Sequence, residues 1–162
     1  MTCLVAAAST ALALLTGGHS GSDRAVNTAE NLRVRQIADL MLRDVAVAVY
    51  DPVSPIIYYN PEYLDRFSPE MQAFFLAHER AHIELKHTRS SALRSDRQTR
   101  DQLIQHKELA ADCLAVTRLG AVGRQASMAA MQYFARLGPK HYDDEHPTGT
   151  ARALNILECM PE

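Results

Sequence analysis

The chain has 162 residues, 47% of them apolar, and a formal net charge of −2. That length supports one compact domain with its own core, and the even charge balance argues against a nucleic-acid binder. Tryptophan is absent and aromatic residues are few, so the core has to be largely aliphatic, whereas seven histidines are many for this length.

Residues 1–22 contain no Lys, Arg, Asp or Glu. Leu4 to Leu15 is an Ala- and Leu-rich run, followed by Thr16-Gly17-Gly18-His19-Ser20-Gly21. The run is too short to span a bilayer and has the length of a signal-peptide core, with small residues where a peptidase would cut. Residues 1–20 are therefore expected to be a signal peptide and 21–162 a single domain, exported to a periplasm or secreted, with no membrane span left after the leader is removed. The run lacks the usual preceding positive charge, which leaves a buried first helix as the other reading. Cys113 and Cys159 remain in the mature chain. They form either one disulfide or two buried reduced thiols, and spacing alone does not decide between these.

Asn27 to Arg43 is predicted to be a helix with Leu32, Ile37, Leu40 and Met41 on its apolar side. Val45 to Tyr50 and Ile56 to Tyr59 are short β-prone runs, broken by Asp51-Pro52 and Asn60-Pro61, and predict a small sheet or hairpin. Ser68-Pro69-Glu70 opens a helix with an N-cap serine, a first-turn proline and an acid. That helix should run to about His87, with Met71, Phe74, Phe75, Ala81 and Leu85 apolar. Thr88 to Thr99, with Arg89, Arg94 and Arg97, is a solvated polar stretch. Further helices are predicted over about Arg100–Leu119, closed by Gly120, over Val122–Leu137, stopped by Gly138-Pro139, and over Thr150–Met160.

Residues 78–82 read His-Glu-Arg-Ala-His. On a helix, spacing of i and i+4 puts both imidazoles on one face, one turn apart, where they can reach one tetrahedral zinc ion. The intervening Glu79 is placed to take a proton from a water on that metal. A lone histidine on an apolar stripe is usually a satisfied core residue. Here that reading would need two buried imidazoles and an adjacent carboxylate, all without partners.

Glu108 and Asp112 lie on the buried face of the next long helix with Ile104, Ala111, Ala115 and Leu119. A buried carboxylate is costly unless a cation or donors compensate, so Glu108 is the expected third ligand. Asp112, one turn on, can accept the second N–H of a ligand histidine and fix its tautomer. Exposed helix acids are the competing reading. His106 is a fallback ligand on a different face. His87 is rotated off the ligand face and is expected to lie at the surface or to support a ligand. Leu85 and Thr88 stand where the metzincin extension would place Gly and His, which excludes that class.

With H-E-x-x-H, then E-x-x-x-D a helix later and His146-Pro147 downstream, the chain resembles the gluzincin peptidases of the HtpX and CAAX-prenyl-protease type over about residues 56–157. The resemblance implies His78, His82 and Glu108 as zinc ligands, Glu79 as general base and Asp112 as the group orienting a ligand. It also places His146 near the active site as an oxyanion stabiliser, with Arg152 a few residues on; a loop histidine capping the last helix is the alternative. The Ile56–Tyr59 run resembles the edge strand that lays out extended substrate in such peptidases, which would make Tyr58 and Tyr59 substrate-binding unless they simply pack. The chain departs from the family in lacking several membrane spans and in placing Arg80 inside the motif.

The expectation is thus a mostly helical α+β, zincin-like domain: a small sheet beside a helical core that carries the H-E-x-x-H metal helix. It would bind one zinc ion and hydrolyse peptide bonds in a peptide or protein substrate. The alternatives are a catalytically inactive, zinc-binding pseudopeptidase that serves as an interaction module, a plain helical protein, and zinc hydrolysis of a non-peptide bond.

Overall fold

The computed structural model describes residues 33–87, 97–121, 123–141 and 146–161. Its elements are β1 (Arg35–Ala38), β2 (Ala46–Val49), β3 (Ile56–Tyr59), α1 (Pro61–Leu64), α2 (Pro69–Glu84), α3 (Arg97–Leu119), α4 (Arg124–Leu137) and α5 (Gly149–Cys159). The chain is mostly helical with one three-stranded sheet, the expected α+β arrangement. The expected leader over 1–20, the Asn27–Leu32 part of the predicted first helix, and Arg89 and Arg94 of the polar stretch lie outside the described residues. Among the described residues no helix is long and apolar enough to cross a membrane.

The strand order is β1-β3-β2, with β1 parallel and β2 antiparallel to β3. Asp51 makes the β2–β3 turn by accepting the backbone N–H groups of Val53 (2.8 Å) and Ser54 (2.7 Å). In its described part, the helix expected over Asn27–Arg43 is corrected to β1 and a turn. Arg35 to Ala38 pair with Ile56 to Tyr59, and Leu40 and Met41, expected on a buried helix face, are 62% and 86% exposed. Four apolar positions did resemble a helical stripe, but backbone pairing with β3 outweighs so weak a local pattern.

The reading of Ile56–Tyr59 as an edge strand is corrected too. β3 is central, paired on both sides, so its backbone is not open to a substrate. The edge that meets α2 is β2: Ala46 and Ile57 pack with Ile83 of α2. The bond from Asn60 N–H to the Val45 carbonyl (3.0 Å) sets the phase of the β2–β3 ladder. Val47 and Val49 therefore turn their backbone groups to β3, and Ala46 and Ala48 turn theirs to the free edge.

Asn60, 2% exposed, ends β3 and caps α1, a short helix not anticipated from the sequence. Its side chain accepts from Glu62 N and donates to the Leu42 carbonyl (2.9 Å), tying the β1–β2 turn to the helix start. Ser68 caps α2, as its Ser-Pro-Glu signature requires. α2 is then buried on two sides. Met71, Phe74 and Ala81 enter the helical core with Ala111, Ala115, Val116, Ala130, Phe134 and Ile156, while Ile83 faces the sheet. Truncating Phe74 or Phe134 to Ala would cost about 3–5 kcal/mol each.

Small residues bring the helices close. α3 contributes Ala111 and Ala115, both fully buried, and α4 contributes Ala126, Ser127 and Ala130. At Gly149 a Cβ would come within 2.7 Å of the Leu137 Cβ, so only glycine allows α5 to start against the end of α4. Glu84 bridges Arg80 on its own helix (3.2 Å) and Arg118 on α3 (3.0 Å). A disulfide joins Cys113 on α3 to Cys159 on α5, with Cα atoms 5.2 Å apart.

Candidate metal centre

The middle of α2 and the middle of α3 meet at three side chains. His78 Nε2 lies 3.1 Å from Glu108 Oε2, His82 Nε2 lies 3.3 Å from Glu108 Oε1, and the two Nε2 atoms are 3.0 Å apart. Their donor atoms all lie within 4.8 Å of one another, so the group can hold a metal ion. Helical phase explains the meeting. His78 continues the Met71–Phe74 stripe into the core, and His82 follows one turn later at the rim. Two imidazole lone pairs and a carboxylate converging on one point form a donor set that suits a divalent cation.

The two histidines are held from behind, but differently. Asp112 is completely buried and takes a two-pronged contact from Arg152 of α5, Nε to Oδ2 at 2.8 Å and Nη2 to Oδ1 at 2.6 Å. His78 Nδ1 lies 2.8 Å from the same Oδ1. That contact has ion-pair distance without the alignment of a hydrogen bond, since Nδ1 has no aligned acceptor. The Arg152 guanidinium in turn lies over the Phe134 ring, 3.9 Å from its centroid. A chain of Phe134, Arg152, Asp112 and His78 thus runs from the helical core to the donor group.

His82 has another support. Its Nδ1 lies 3.1 Å from Nδ1 of His87, with ring centroids 5.1 Å apart. Burial, reinforced by the neighbouring His82 and Lys107, pushes His87 down to about 4, which keeps it a neutral imidazole. His106, the fallback ligand, is exposed on α3 and is not in the donor group.

The charges follow the geometry. Burial works against a charged His78, but Asp112 and Glu108 outweigh it and push it up to about 10. Burial would also raise Glu108, yet contacts with His78 and His82 hold it well below the carboxylate range. Asp112 is likewise lowered, because the Arg152 charge and hydrogen bonds outweigh its burial. Glu79 goes the other way: burial raises it, against the pull of His78 and His82.

Glu79 points off the ligand face toward the sheet. Its Oε2 accepts the Ala48 backbone N–H at 2.6 Å, across the free edge of β2. Nothing in the sequence marks Ala48, because it acts through its backbone. His146 enters from the loop before α5. Its Nε2 is 3.9 Å from Glu108 Oε2, its side chain is 29% exposed, and its carbonyl accepts from His141 Nδ1 at 3.2 Å. The structure therefore brings His78, His82 and Glu108 to one point, with Asp112 behind His78, His146 beside Glu108, and Glu79 on the neighbouring face turned to β2. Tyr58 and Tyr59 stay in the central strand, where Tyr59 packs against the Ala46, Ile57 and Ile83 cluster.

This geometry agrees with the comparisons to known proteins. A family model described as "Putative metallopeptidase domain" matches residues 27–152, most of the chain. No curated protein and no solved structure matches it. The match takes in both helices of the donor group together with Asp112, His146 and Arg152, and on that ground the chain belongs to this metallopeptidase-domain family.

Proposed function

We propose that the protein is a zinc-dependent metalloendopeptidase of gluzincin type, related to the HtpX and CAAX-prenyl-protease peptidases, that acts on peptide or protein substrates after export. The observation that carries the reading is one carboxylate, Glu79, set beside a His-His-Glu donor group and anchored to the edge strand. The donor separations of 3.0 to 3.3 Å suit zinc, because tetrahedral ligands about 2.0–2.1 Å from the ion lie roughly 3.3 Å apart.

His78, His82 and Glu108 would hold the ion, and Asp112 would keep His78 oriented. When bound, the ion supplies Lewis acidity, polarising the scissile carbonyl and making water a nucleophile at neutral pH. Glu79 takes the proton from the attacking water and passes it to the leaving nitrogen. Its Oε2 is engaged by Ala48, which leaves Oε1 for the proton. Burial raises its pKa, so the proton, once taken, is held long enough to be delivered. His146 at the mouth of the site donates to the developing oxyanion. An extended substrate can add to the outer edge of β2 through the outward backbone groups of Ala46 and the Ala48 carbonyl, the Ala48 N–H being held by Glu79; this moves the substrate strand from Ile56–Tyr59 to its neighbour.

The test is zinc content by elemental mass spectrometry together with turnover of a peptide library, for wild type and Glu79→Gln. The expected result is about one zinc in both, with cleavage only in the wild type and a rate loss of at least about 100-fold in the variant. Equal cleavage by both would remove Glu79 from the mechanism. Zinc without turnover in the wild type would favour the pseudopeptidase, and no zinc in either would end the metallopeptidase reading.

A further inference from the structure

α2 ends in an unusual way for its sequence. Leu85 caps it, Lys86 follows at φ +55°, and two reverse bonds close the turn: Lys86 N–H to the Ile83 carbonyl at 3.0 Å and His87 N–H to the His82 carbonyl at 2.9 Å. This pair of bonds is the Schellman arrangement, in which the second residue past the cap folds back over the residue three before it. Glycine normally occupies the left-handed position, since a Cβ is disfavoured there. Lys86 is the one described non-glycine residue with positive φ. The two residues that such a turn brings together usually share an apolar contact. Here they are His82 and His87, and their contact is between Nδ1 atoms.

We propose that His87 is the positioning residue of His82: its Nδ1 accepts the His82 Nδ1–H, fixing the tautomer and ring angle that aim His82 Nε2 at the metal. This rests on the reading of His82 as a ligand. A contact between two Nδ1 atoms needs one donor and one acceptor. With His82 Nε2 committed to the ion, its proton is on Nδ1, so His82 donates and His87 receives. A ligand imidazole usually gives its second N–H to a carboxylate, carbonyl or water. His78 faces such a carboxylate, Asp112, whereas His82 faces the His87 ring supplied by the helix end itself. The supporting ring directly follows the end of α2, five residues past its ligand, so it is the closing turn of that helix that brings the two rings together.

Zinc affinity of the full chain, measured by competition with a chromophoric chelator, tests this for wild type, His87→Ala, His87→Gln and His82→Ala. The expected result is one zinc per chain with affinity about 10- to 100-fold weaker in His87→Ala, recovered to within a few-fold by His87→Gln, whose side-chain oxygen can accept the same proton. Nitrogen-resolved NMR of the zinc-loaded protein should show the His82 Nδ1–H as a slowly exchanging proton in wild type and as a fast-exchanging one in His87→Ala. A merely structural role for His87 would leave that exchange unchanged. Wild-type affinity and unchanged exchange in His87→Ala, with binding lost in His82→Ala, would overturn the proposal. Undiminished binding in His82→Ala would instead overturn the ligand assignment beneath it.

Discussion

The two histidines of the donor group sit one helical turn apart and are held by opposite means. His78 is backed by a buried ionic chain, Asp112 to Arg152 to the Phe134 face, which crosses three other helices. His82 is backed by a single ring at the rim, delivered by the end of its own helix. The first support is part of what holds the fold together, and the second can be altered without touching the core. The comparison teaches that the two histidines differ in how closely their support is tied to the fold: changing the backing of His78 disturbs the buried core, and changing that of His82 does not.

The sharpest way to break this contrast is Arg152→Met. It strips the fully buried Asp112 carboxylate of its two-pronged guanidinium partner and leaves only His78 beside it, which should cost about 3–5 kcal/mol and lower Tm by roughly 10 °C in a domain of this size. His87→Ala, at the rim, should move stability by less than about 1 kcal/mol. Chemical denaturation of both metal-free variants measures the difference. Equal losses would mean that the two supports are not distinct.

A pH experiment sharpens the His78 side. With its pKa raised from 6.5 to about 10, His78 carries a proton at neutral pH in the metal-free protein. A folded-state value above the unfolded one contributes stability that is fully present below about 6.5 and is lost as pH rises through about 10. The metal-free protein should therefore weaken across that window. Metal uptake has to displace the same proton, so affinity should rise about tenfold per pH unit over it. Calorimetry in two buffers of different ionisation enthalpy should give about one proton released per ion at pH 7. Zero release would contradict the ionic chain.

The smallest effect belongs to the helix end. Lys86→Gly relieves the left-handed residue and should stabilise the protein by about 0.5–1 kcal/mol, with zinc affinity unchanged because the turn and the His82–His87 contact persist. Urea unfolding beside the chelator competition checks both halves. A large loss of affinity would show that Lys86 itself does more than hold the turn.

What could be read from the sequence follows the side chains. The Ser68-Pro69 start, the stripe through Met71, Phe74, His78 and His82, and the acids Glu108 and Asp112 all declare themselves by residue type and helical phase. β1 does not, because Arg35-Gln36-Ile37-Ala38 becomes a strand only by pairing with β3. Strand order is likewise a tertiary choice, and it reassigned the edge from Ile56–Tyr59 to Ala46–Val49. Ala48 reaches Glu79 through its N–H, so no reading of side chains could find it. Cys113 and Cys159 are 46 residues apart, and only the packing of α3 on α5 makes them a pair.

The burial of α2 on two sides has a consequence for which sequences can carry this motif. Of the two unspecified positions inside H-E-x-x-H, Arg80 is exposed and pairs with Glu84 one turn on, whereas Ala81 is 2% exposed and wedged in the helical core. The first tolerates almost any helix former, which explains an arginine inside the motif. The second admits little more than a methyl group, since added methylenes in a packed core cost about 1–3 kcal/mol. The motif here therefore has four specified letters and one free one, and a mutational scan of residues 78–82 would show a single tolerant column in the middle of an intolerant block.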